Sequence, residues 1–210
     1  MEHINKIIYI NLDRRVDRNR EMITELVKMG IHTDTYERFP AIVSNPGIIG
    51  CGLSHKRCLQ TALDRNYSNI LILEDDFEFI VSRQKLDESL RYVFDSFKEP
   101  WDVIMLGYNL TEQLETDNPV LGRVQRAQTA SGYIVRSHYY QTLIDNLGQG
   151  NQQLQATGAH WLYANDVYWF PLQRSDKWFY FKNRIGKQRQ SVSDTGYFSP
   201  DNINPIDYHL

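Results

Sequence analysis

The sequence predicts a single α/β domain in which a mostly parallel sheet, flanked by helices, contains a Rossmann-like nucleotide half. Apolar, β-branched segments alternate with amphipathic segments over the first hundred residues. One apolar segment, residues 70–73, runs directly into Glu74, Asp75 and Asp76. Open α/β sheets bind ligands beyond the carboxyl ends of their strands, so this acidic cluster marks the expected site. A chain of 210 residues is long enough for one such domain with a substantial core.

The first half of the chain alternates strands and helices in regular order. Residues 6–12 are rich in β-branched side chains, which favours a strand. Met22, Leu26 and Met29 recur at helical spacing, and Gly30 follows them as a stop signal. The predicted elements are, in order, strand 6–12, helix 14–29, strand 33–38, helix 51–63, strand 70–74, helix 86–97 and strand 101–107.

The second half is less regular and is expected to complete the other side of a cleft. Polar residues 111–119 and the Gln/Asn/Gly-rich residues 148–157 are predicted to be loops. Ser137 is a candidate cap for a helix that runs to residue 147. The other predicted elements are a strand or hairpin at 120–129, strand 130–135, an aromatic helix at 159–170 and strand 178–181. The domain is therefore divided into a nucleotide half, about 1–108, and a second half, about 109–210, that completes the cleft.

Composition narrows the class of protein. The net charge of −3 argues against broad nucleic-acid binding. The longest apolar stretches fall far short of the ~20 residues that a membrane span requires. The first residues lack the layout of a signal peptide, so we expect a cytoplasmic protein. Cys51 and Cys58 would lie about 10 Å apart along one helix, too far for a disulfide, so both are expected to be free thiols.

The acidic cluster is a candidate metal site. On a continuous strand, Glu74 and Asp76 would share one face while Asp75 would point to the other. Consecutive carboxylates repel one another when buried unpaired, and a hard divalent cation such as Mn²⁺ or Mg²⁺ removes that cost. Glu74 and Asp76 are therefore its predicted ligands. The competing interpretation is a solvated turn whose acids lie next to Lys or Arg.

A basic segment joins the first predicted strand to the first helix. Asn11, Arg14 and Arg18 lie on it, where arginines and the free N–H groups of a helix N-terminus could hold a diphosphate. The alternative is a charged solvent face with Asp–Arg pairs. The sequence has neither the Gly-rich dinucleotide fingerprint nor a P-loop.

The segment Gly50-Cys51-Gly52-Leu53-Ser54-His55 is a candidate ligand contact. Its two glycines would let the backbone approach a ligand closely. His55 could then contact a ribose or a base. The alternative is that His55 only holds its neighbours by hydrogen bonds.

Asp166 is a candidate general base. It lies among Trp161, Tyr163 and Trp169, and partial desolvation by these rings would raise its pKa towards a useful range. The alternative is a helix-capping role.

Several of these motifs, in this order, resemble glycosyltransferase family 25. Two of the motifs, the Gly-Cys-Gly-Leu-Ser-His and Leu-Glu-Asp-Asp pieces, are specific at their mutual spacing, and all the motifs together cover most of the chain. They are Ile8-Tyr9-Ile10-Asn11-Leu12-Asp13-Arg14-Arg15 with Asp17-Arg18, then Phe39-Pro40-Ala41-Ile42, Gly50-Cys51-Gly52-Leu53-Ser54-His55, Leu71-Ile72-Leu73-Glu74-Asp75-Asp76, Thr129-Ala130-Ser131-Gly132-Tyr133-Ile134-Val135 and the late segment 186–194. The family often has Pro-Val-Asp where this chain has Ala164-Asn165-Asp166.

The resemblance implies a GT-A type fold, in which residues 1–108 would be the nucleotide-sugar half and residues 109–210 the acceptor half. It also implies an inverting, Mn²⁺-assisted transfer of a hexose, usually galactose from UDP-galactose, with glucose as the alternative. The acceptor would be a hydroxyl of a glycan, a lipid-linked sugar or hydroxylysine. Glu74 and Asp76 would bind the metal, and Asp166 or Asp194 would take the acceptor's proton. The residues expected to border the donor are Asn11, Arg14, Arg18, Ser54, His55, Asp75 and Gln188. The alternatives are an inactive nucleotide-sugar-binding protein and a metal-dependent nucleotide-sugar hydrolase.

Overall fold

An eight-stranded mixed sheet forms the centre of the molecule in a computed structural model, which describes residues 1–190 and Asp194. The strands are β1 Lys6–Asn11, β2 Tyr36–Pro40, β3 Asn69–Glu74, β4 Phe77–Phe79, β5 Val103–Met105, β6 Asn109–Leu114, β7 Leu121–Gln128, β8 Gly132–Arg136, β9 Trp178–Phe181 and β10 Gly186–Gln188. The main sheet has the order β2-β1-β3-β8-β5-β9-β7-β6, and β4 pairs with β10 in a separate two-stranded sheet.

Most strands of the main sheet share one direction. β1 runs parallel to β2 and to β3, and β5 runs parallel to β9. β7 and β8 are antiparallel to both of their neighbours, so the other six strands point the same way. The prediction of a mostly parallel sheet is therefore confirmed.

Helices cover both faces of the sheet. They are α1 Val16–Lys28, α2 Gly47–Asp64, α3 Arg83–Arg91 with a π-helical turn at Tyr92–Ser96, α4 Tyr140–Thr157 after a 3₁₀ turn at Ser137–Tyr139, α5 His160–Tyr163, α6 Asn165–Tyr168 and α7 Phe170–Ser175. Side chains of β3 alternate between two cores, as expected for a strand buried on both faces. Ile70 and Ile72 pack with residues of α2 and α4, whereas Leu71 and Leu73 pack with residues of α1 and α3.

Several elements differ from the sequence-based prediction. Residues 148–157 belong to α4 and not to a loop, because this stretch packs closely against α2. Part of the predicted loop 111–119 is β6, which pairs with β7. The predicted helix 159–170 is three short helices, because Ala164 has an extended ψ of 148°. Both cysteines are free, as expected. Within residues 1–190, no helix combines the length and the apolar character needed to cross a membrane.

The fold does not show a boundary between the two predicted halves of the domain. The predicted nucleotide half contains β1–β5, of which β1, β2, β3 and β5 belong to the same sheet as strands of the second half. The division near residue 108 stays a prediction, and residues 191–193 and 195–210 of the acceptor half lie outside the described residues.

Phe77 follows the acidic cluster directly and is packed against three glycines. It is fully buried, and a Cβ added to Gly132 or Gly186 would lie 2.4 Å or 2.0 Å from its ring. A Cβ on Gly107 would lie 3.4 Å away. The absence of side chains at these positions lets the ring fill the space between β8 and the small sheet. This packing fixes the turn that contains Asp76.

Gly132→Ala should destabilise the protein, because its added Cβ would overlap the Phe77 ring. Overpacking of this kind typically costs about 1–3 kcal/mol of unfolding free energy. Gly148→Ala is the matched control: its Cβ would meet only the flexible end of Lys56, 3.0 Å away, within helix α4. That variant should be neutral or more stable by up to about 1 kcal/mol. Urea unfolding measures both, and equal stabilities would contradict the proposed packing.

Candidate functional site

An open cleft of about 760 Å³ lies at the carboxyl ends of β1 and β3. One wall comes from residues that follow β1, and the rim comes from residues 41–47 before α2. Its polar lining consists of Asn11, Arg14, Arg18, Ser44, Cys51, Glu74, Asp75, Asp76, Gln188 and Asp194. The structure therefore brings together eight of the eleven predicted site residues along this cleft. Ser54, His55 and Asp166 lie behind or beside it.

The three acidic residues contact different partners. β3 ends at Glu74, and the next two residues form a turn, so strand alternation does not extend to them. Glu74 Oε1 lies 3.1 Å from His55 Nε2, on the α2 side. Asp75 and Asp76 instead share one nitrogen of Arg18, at 3.0 Å and 3.3 Å. The expectation that Asp75 would point away from Asp76 is thus corrected, because the chain turns before Asp75.

Burial of this negative charge perturbs the titration of all three carboxyls. Burial raises the pKa of Asp76 to about 7, with a further contribution from the charge of Glu74, while Arg18 opposes both. Burial also raises the pKa of Asp75 against hydrogen bonds from Asn11 and Arg18. Burial would raise the pKa of Glu74 as well, but the hydrogen bond and charge of His55 outweigh it and lower that pKa.

The acidic cluster fits a hard divalent cation. Asp76 is 6% exposed, and its Oδ1 has no hydrogen-bond partner among the described residues. Its other oxygen accepts a hydrogen bond from Gln188 Nε2 at 3.1 Å. Oxygen ligands from carboxylates suit Mg²⁺ and Mn²⁺. The buried Arg18 neutralises part of the charge of three carboxylates, so net negative charge remains for a dication.

Asn11 and the arginines hold the other wall in place. Asn11 Nδ2 donates to Asp75 Oδ2 at 2.7 Å, and Arg38 Nε donates to Asn11 Oδ1 at 2.9 Å. Arg14 is 56% exposed at the mouth of the cleft. It pairs with Asp194 Oδ1 at 2.7 Å, and Arg15 binds the other oxygen of Asp194.

Ser54 and His55 are buried behind the residues that line the cleft. Ser54 is fully buried, and its Oγ donates to Gly50 O at 2.6 Å and accepts from Ile42 N at 2.8 Å. Ser54 therefore links the cleft rim to α2 and does not face the cleft. The expectation that Ser54 would border the sugar donor is thus corrected. His55 is also buried, and its other nitrogen lies 3.0 Å from Tyr133 Oη.

Asp166 lies in the first turn of α6 and supports an unusual backbone conformation. Its Oδ2 accepts a hydrogen bond from Thr129 N at 3.1 Å, and Thr129 has a φ of 78°. A positive φ is costly for a β-branched residue, and Thr129 Oγ1 also accepts from Asn109 Nδ2 at 2.6 Å. Burial raises the pKa of Asp166, and the charge of Glu74 adds to the effect. Asp166 is therefore close enough to the acidic cluster to interact with it electrostatically.

Two residues of the site were not anticipated as such. Cys51 was expected only to be a free thiol, yet it lines the cleft and its Sγ donates to Glu74 Oε1 at 3.4 Å. Cys51 lies four residues before His55 on one helix, so both side chains share a face, and this spacing was the sequence signal that could have identified Cys51 as a site residue. Arg38 orients Asn11 from the neighbouring strand β2, and no local pattern in the sequence marks it.

A family model for glycosyltransferase family 25 (LPS biosynthesis protein) matches residues 43–156. The mostly parallel sheet flanked by helices is that of a GT-A type fold. Because the match covers more than half of the sequence, the chain belongs to glycosyltransferase family 25.

Individual relatives are distant. A Bos taurus protein named "Probable inactive glycosyltransferase 25 family member 3" is 24% identical over 128 residues, which cover 49% of this chain and 22% of that protein. The chain thus spans about a fifth of the length of this relative.

Two solved structures share the fold. A glycosyltransferase involved in the glycosylation of the major capsid of PBCV-1 superposes with a TM-score of 0.55 and 10% identity, over 90% of this chain and 94% of that chain. The protein A197 from STIV superposes with a TM-score of 0.50 and 14% identity, over 99% of this chain and 100% of that chain.

In the metal-free protein, Asp76 should make stability fall as pH rises. Its pKa of about 7 in the folded state lies above the value of about 3.9 in an unfolded chain. The folded state therefore holds the proton more tightly, and this stabilisation is full below about pH 4 and is lost as pH rises through about 7. Asp76→Asn should remove this slope and raise stability at about pH 8, by at most about 4 kcal/mol.

Thermal unfolding in a chelating buffer at about pH 5 and pH 8 measures the effect. Asp64→Asn, at an exposed acid that ends α2, is the control and should keep the wild-type pH dependence. A wild-type protein that gains stability between these pH values while Asp76→Asn does not would contradict the assignment.

Proposed function

We propose that this domain transfers a hexose from a UDP-sugar to an acceptor hydroxyl, with inversion at the anomeric carbon and with the help of a divalent cation. The observation that carries this proposal is the cleft at the carboxyl ends of β1 and β3, where buried carboxylates face arginines. Carboxylates suit a metal, and arginines suit a diphosphate. Membership of glycosyltransferase family 25 supports the same reaction.

The basic wall is suited to the leaving group. Negative charge grows on the departing UDP as its bond to the sugar breaks, and positive charge fixed nearby stabilises it. Arg14 is exposed at the mouth, and Arg18 is buried beside Asp75 and Asp76. We assign Arg14 to the diphosphate and Arg18 to the orientation of the acids. Glu74 and Asp76 would hold Mn²⁺ or Mg²⁺, and the bound cation would offset the charge of the diphosphate.

Asp166 is the better of the two candidate bases. A base must accept the acceptor's proton, so a raised pKa helps and a lowered one hinders. Burial raises the pKa of Asp166. Burial would also raise the pKa of Asp194, but hydrogen bonds from Arg14 and Arg15 outweigh it and lower that pKa. Asp166 would take the proton while the acceptor oxygen attacks the face opposite the leaving group.

Family membership supports the proposed donor sugar and acceptor. Galactose is the proposed sugar, with glucose as the alternative, because the two differ at one hydroxyl group. The family description refers to lipopolysaccharide biosynthesis, which favours a glycan or a lipid-linked sugar over hydroxylysine as the acceptor.

A catalytically inactive binding protein is the second candidate. The bovine relative is named as probably inactive, which is the observation that favours it. Against it stands the buried acidic cluster, which is costly to maintain without a cation. A metal-dependent hydrolase of nucleotide sugars is a third outcome that the same experiment detects.

Incubation with UDP-galactose or UDP-glucose tests the function, with Mn²⁺, with Mg²⁺ and with a chelator, and with and without a mixture of glycan acceptors. We expect UDP release and a glycosylated acceptor only when a metal is present. Asp76→Ala should abolish both this turnover and Mn²⁺-dependent UDP binding, while the exposed variant Asp64→Ala should retain them. UDP release that no acceptor changes would indicate a hydrolase, and binding without release would indicate the inactive protein.

Asp166→Asn should retain UDP binding and lose transfer by about 10²–10⁴-fold, because the amide cannot accept the proton. The amide oxygen can still accept the hydrogen bond from Thr129 N, so the local fold should persist. Single-turnover transfer and UDP affinity are measured together for this variant and for Asp194→Asn. Full activity in Asp166→Asn combined with loss in Asp194→Asn would move the base to Asp194.

A further inference from the structure

Cys51, His55 and Glu74 bring three different ligand atoms together at one edge of the cleft. Cys51 and His55 are one turn apart on α2, so their side chains project from the same face. Glu74 ends β3 and points towards that face. Their sulfur, nitrogen and oxygen atoms all lie within 4.8 Å of one another.

We propose that these three residues form a binding site for a divalent metal that prefers sulfur and nitrogen ligands, with Zn²⁺ as its typical occupant. This site shares Glu74 with the all-oxygen site proposed for the donor's metal, but its other two ligands are a sulfur and a nitrogen atom. A thiolate and an imidazole select Zn²⁺ over Mn²⁺ and Mg²⁺, whereas carboxylates alone do not. The inference goes beyond the transfer reaction and does not require it.

The present distances are close to those that a tetrahedral ion would need. Cys51 Sγ lies 3.4 Å from Glu74 Oε1, and His55 Nε2 lies 3.1 Å from the same oxygen. With Zn–S near 2.3 Å and Zn–N near 2.0 Å, ligand atoms around tetrahedral zinc are separated by roughly 3.5 Å. Small side-chain movements would therefore admit an ion in place of the two hydrogen bonds.

Neighbouring groups already orient two of the ligands. His55 Nδ1 lies 3.0 Å from Tyr133 Oη, and the two rings stack with centroids 5.8 Å apart. A proton on Nδ1 that is donated to Tyr133 leaves Nε2 free to bind a metal. Asn165 Nδ2 approaches Cys51 Sγ at 3.7 Å. Contacts with Tyr133 and Asn165 thus help to hold two of the three ligands in place on helix α2.

The cleft gives an ion access to this site and an electrostatic reason to bind. Cys51 and Glu74 both line the cleft, while His55 is buried behind them. Asp75 and Asp76 line the same cleft as Cys51 and Glu74. A dication would offset this accumulated negative charge, and the open side of the site leaves a fourth position for water.

Cobalt is a direct probe, because Co²⁺ occupies zinc sites and a thiolate ligand gives it a charge-transfer band in the near ultraviolet. Titration of the reduced, metal-free full chain with Co²⁺ should produce this band together with the visible absorption of a four-coordinate ion. Zn²⁺ should remove the band, and excess Mn²⁺ should not. Absence of the band, or its equal removal by Mn²⁺, would overturn the proposal.

Two cysteine variants identify the ligand. Cys51→Ser should lose the charge-transfer band, whereas Cys58→Ala, on the same helix but outside the cluster, should keep it. Glu74→Gln should weaken cobalt binding, and circular dichroism confirms that each variant is folded. A band that persists in Cys51→Ser, or disappears in a folded Cys58→Ala, would also overturn the assignment. None of these measurements requires a sugar donor, so they remain decisive if transfer is not observed.

Discussion

Glu74, Asp75 and Asp76 place three carboxylates in succession at the end of β3, and Asp75 and Asp76 are buried there. Charges in this position are costly unless other groups compensate for them. The surrounding structure supplies such groups from three directions. Arg18 comes from α1, His55 from α2, and Gln188 from the small sheet. The arrangement of these elements around β3 is therefore tied to the charge that they neutralise.

These groups do not fully compensate the negative charge of the three carboxylates, and this has chemical consequences. One oxygen of Asp76 has no hydrogen-bond partner among the described residues, and the pKa of Asp76 is raised. The same environment supplies two kinds of ligand side by side. Asp75 and Asp76 offer only oxygen, whereas Glu74 lies beside a thiol and an imidazole. The two metal positions proposed for this acidic segment would therefore meet at Glu74 and differ in their other ligands.

The two arginines of the cleft differ in burial. Arg18 is 7% exposed and bound to the acids, so its charge acts mainly within the protein. Arg14 is exposed at the mouth, where it pairs with Asp194. A carboxylate on Arg14 shows that this arginine can hold an anion where the cleft opens to solvent. Asp166 does not line the cleft, and burial raises its pKa.

Local sequence patterns were enough to predict the helices and strands in which buried residues recur at regular spacing. The apolar run of β3, the acids that follow it and the buried stripe of α1 could all be predicted, because each depends on neighbours a few residues away. The candidate residues around the cleft were found in the same way, since polar groups at strand ends converge in this type of sheet.

Tertiary structure alone decided how these residues meet. The Gln/Asn-rich end of α4 is helical because Gly52 of α2 lets Asn151 pack closely, a contact between distant segments. Asp75 and Asp76 share Arg18, which lies 57 and 58 residues earlier, and no local period encodes that pairing. Likewise Ser54 faces the rim and Cys51 faces Glu74 because of how α2 is rotated against β3. The sequence alone determined which chemical groups stand at the strand ends, whereas long-range packing decided which of them touch, because side-chain direction beyond a strand end depends on distant neighbours.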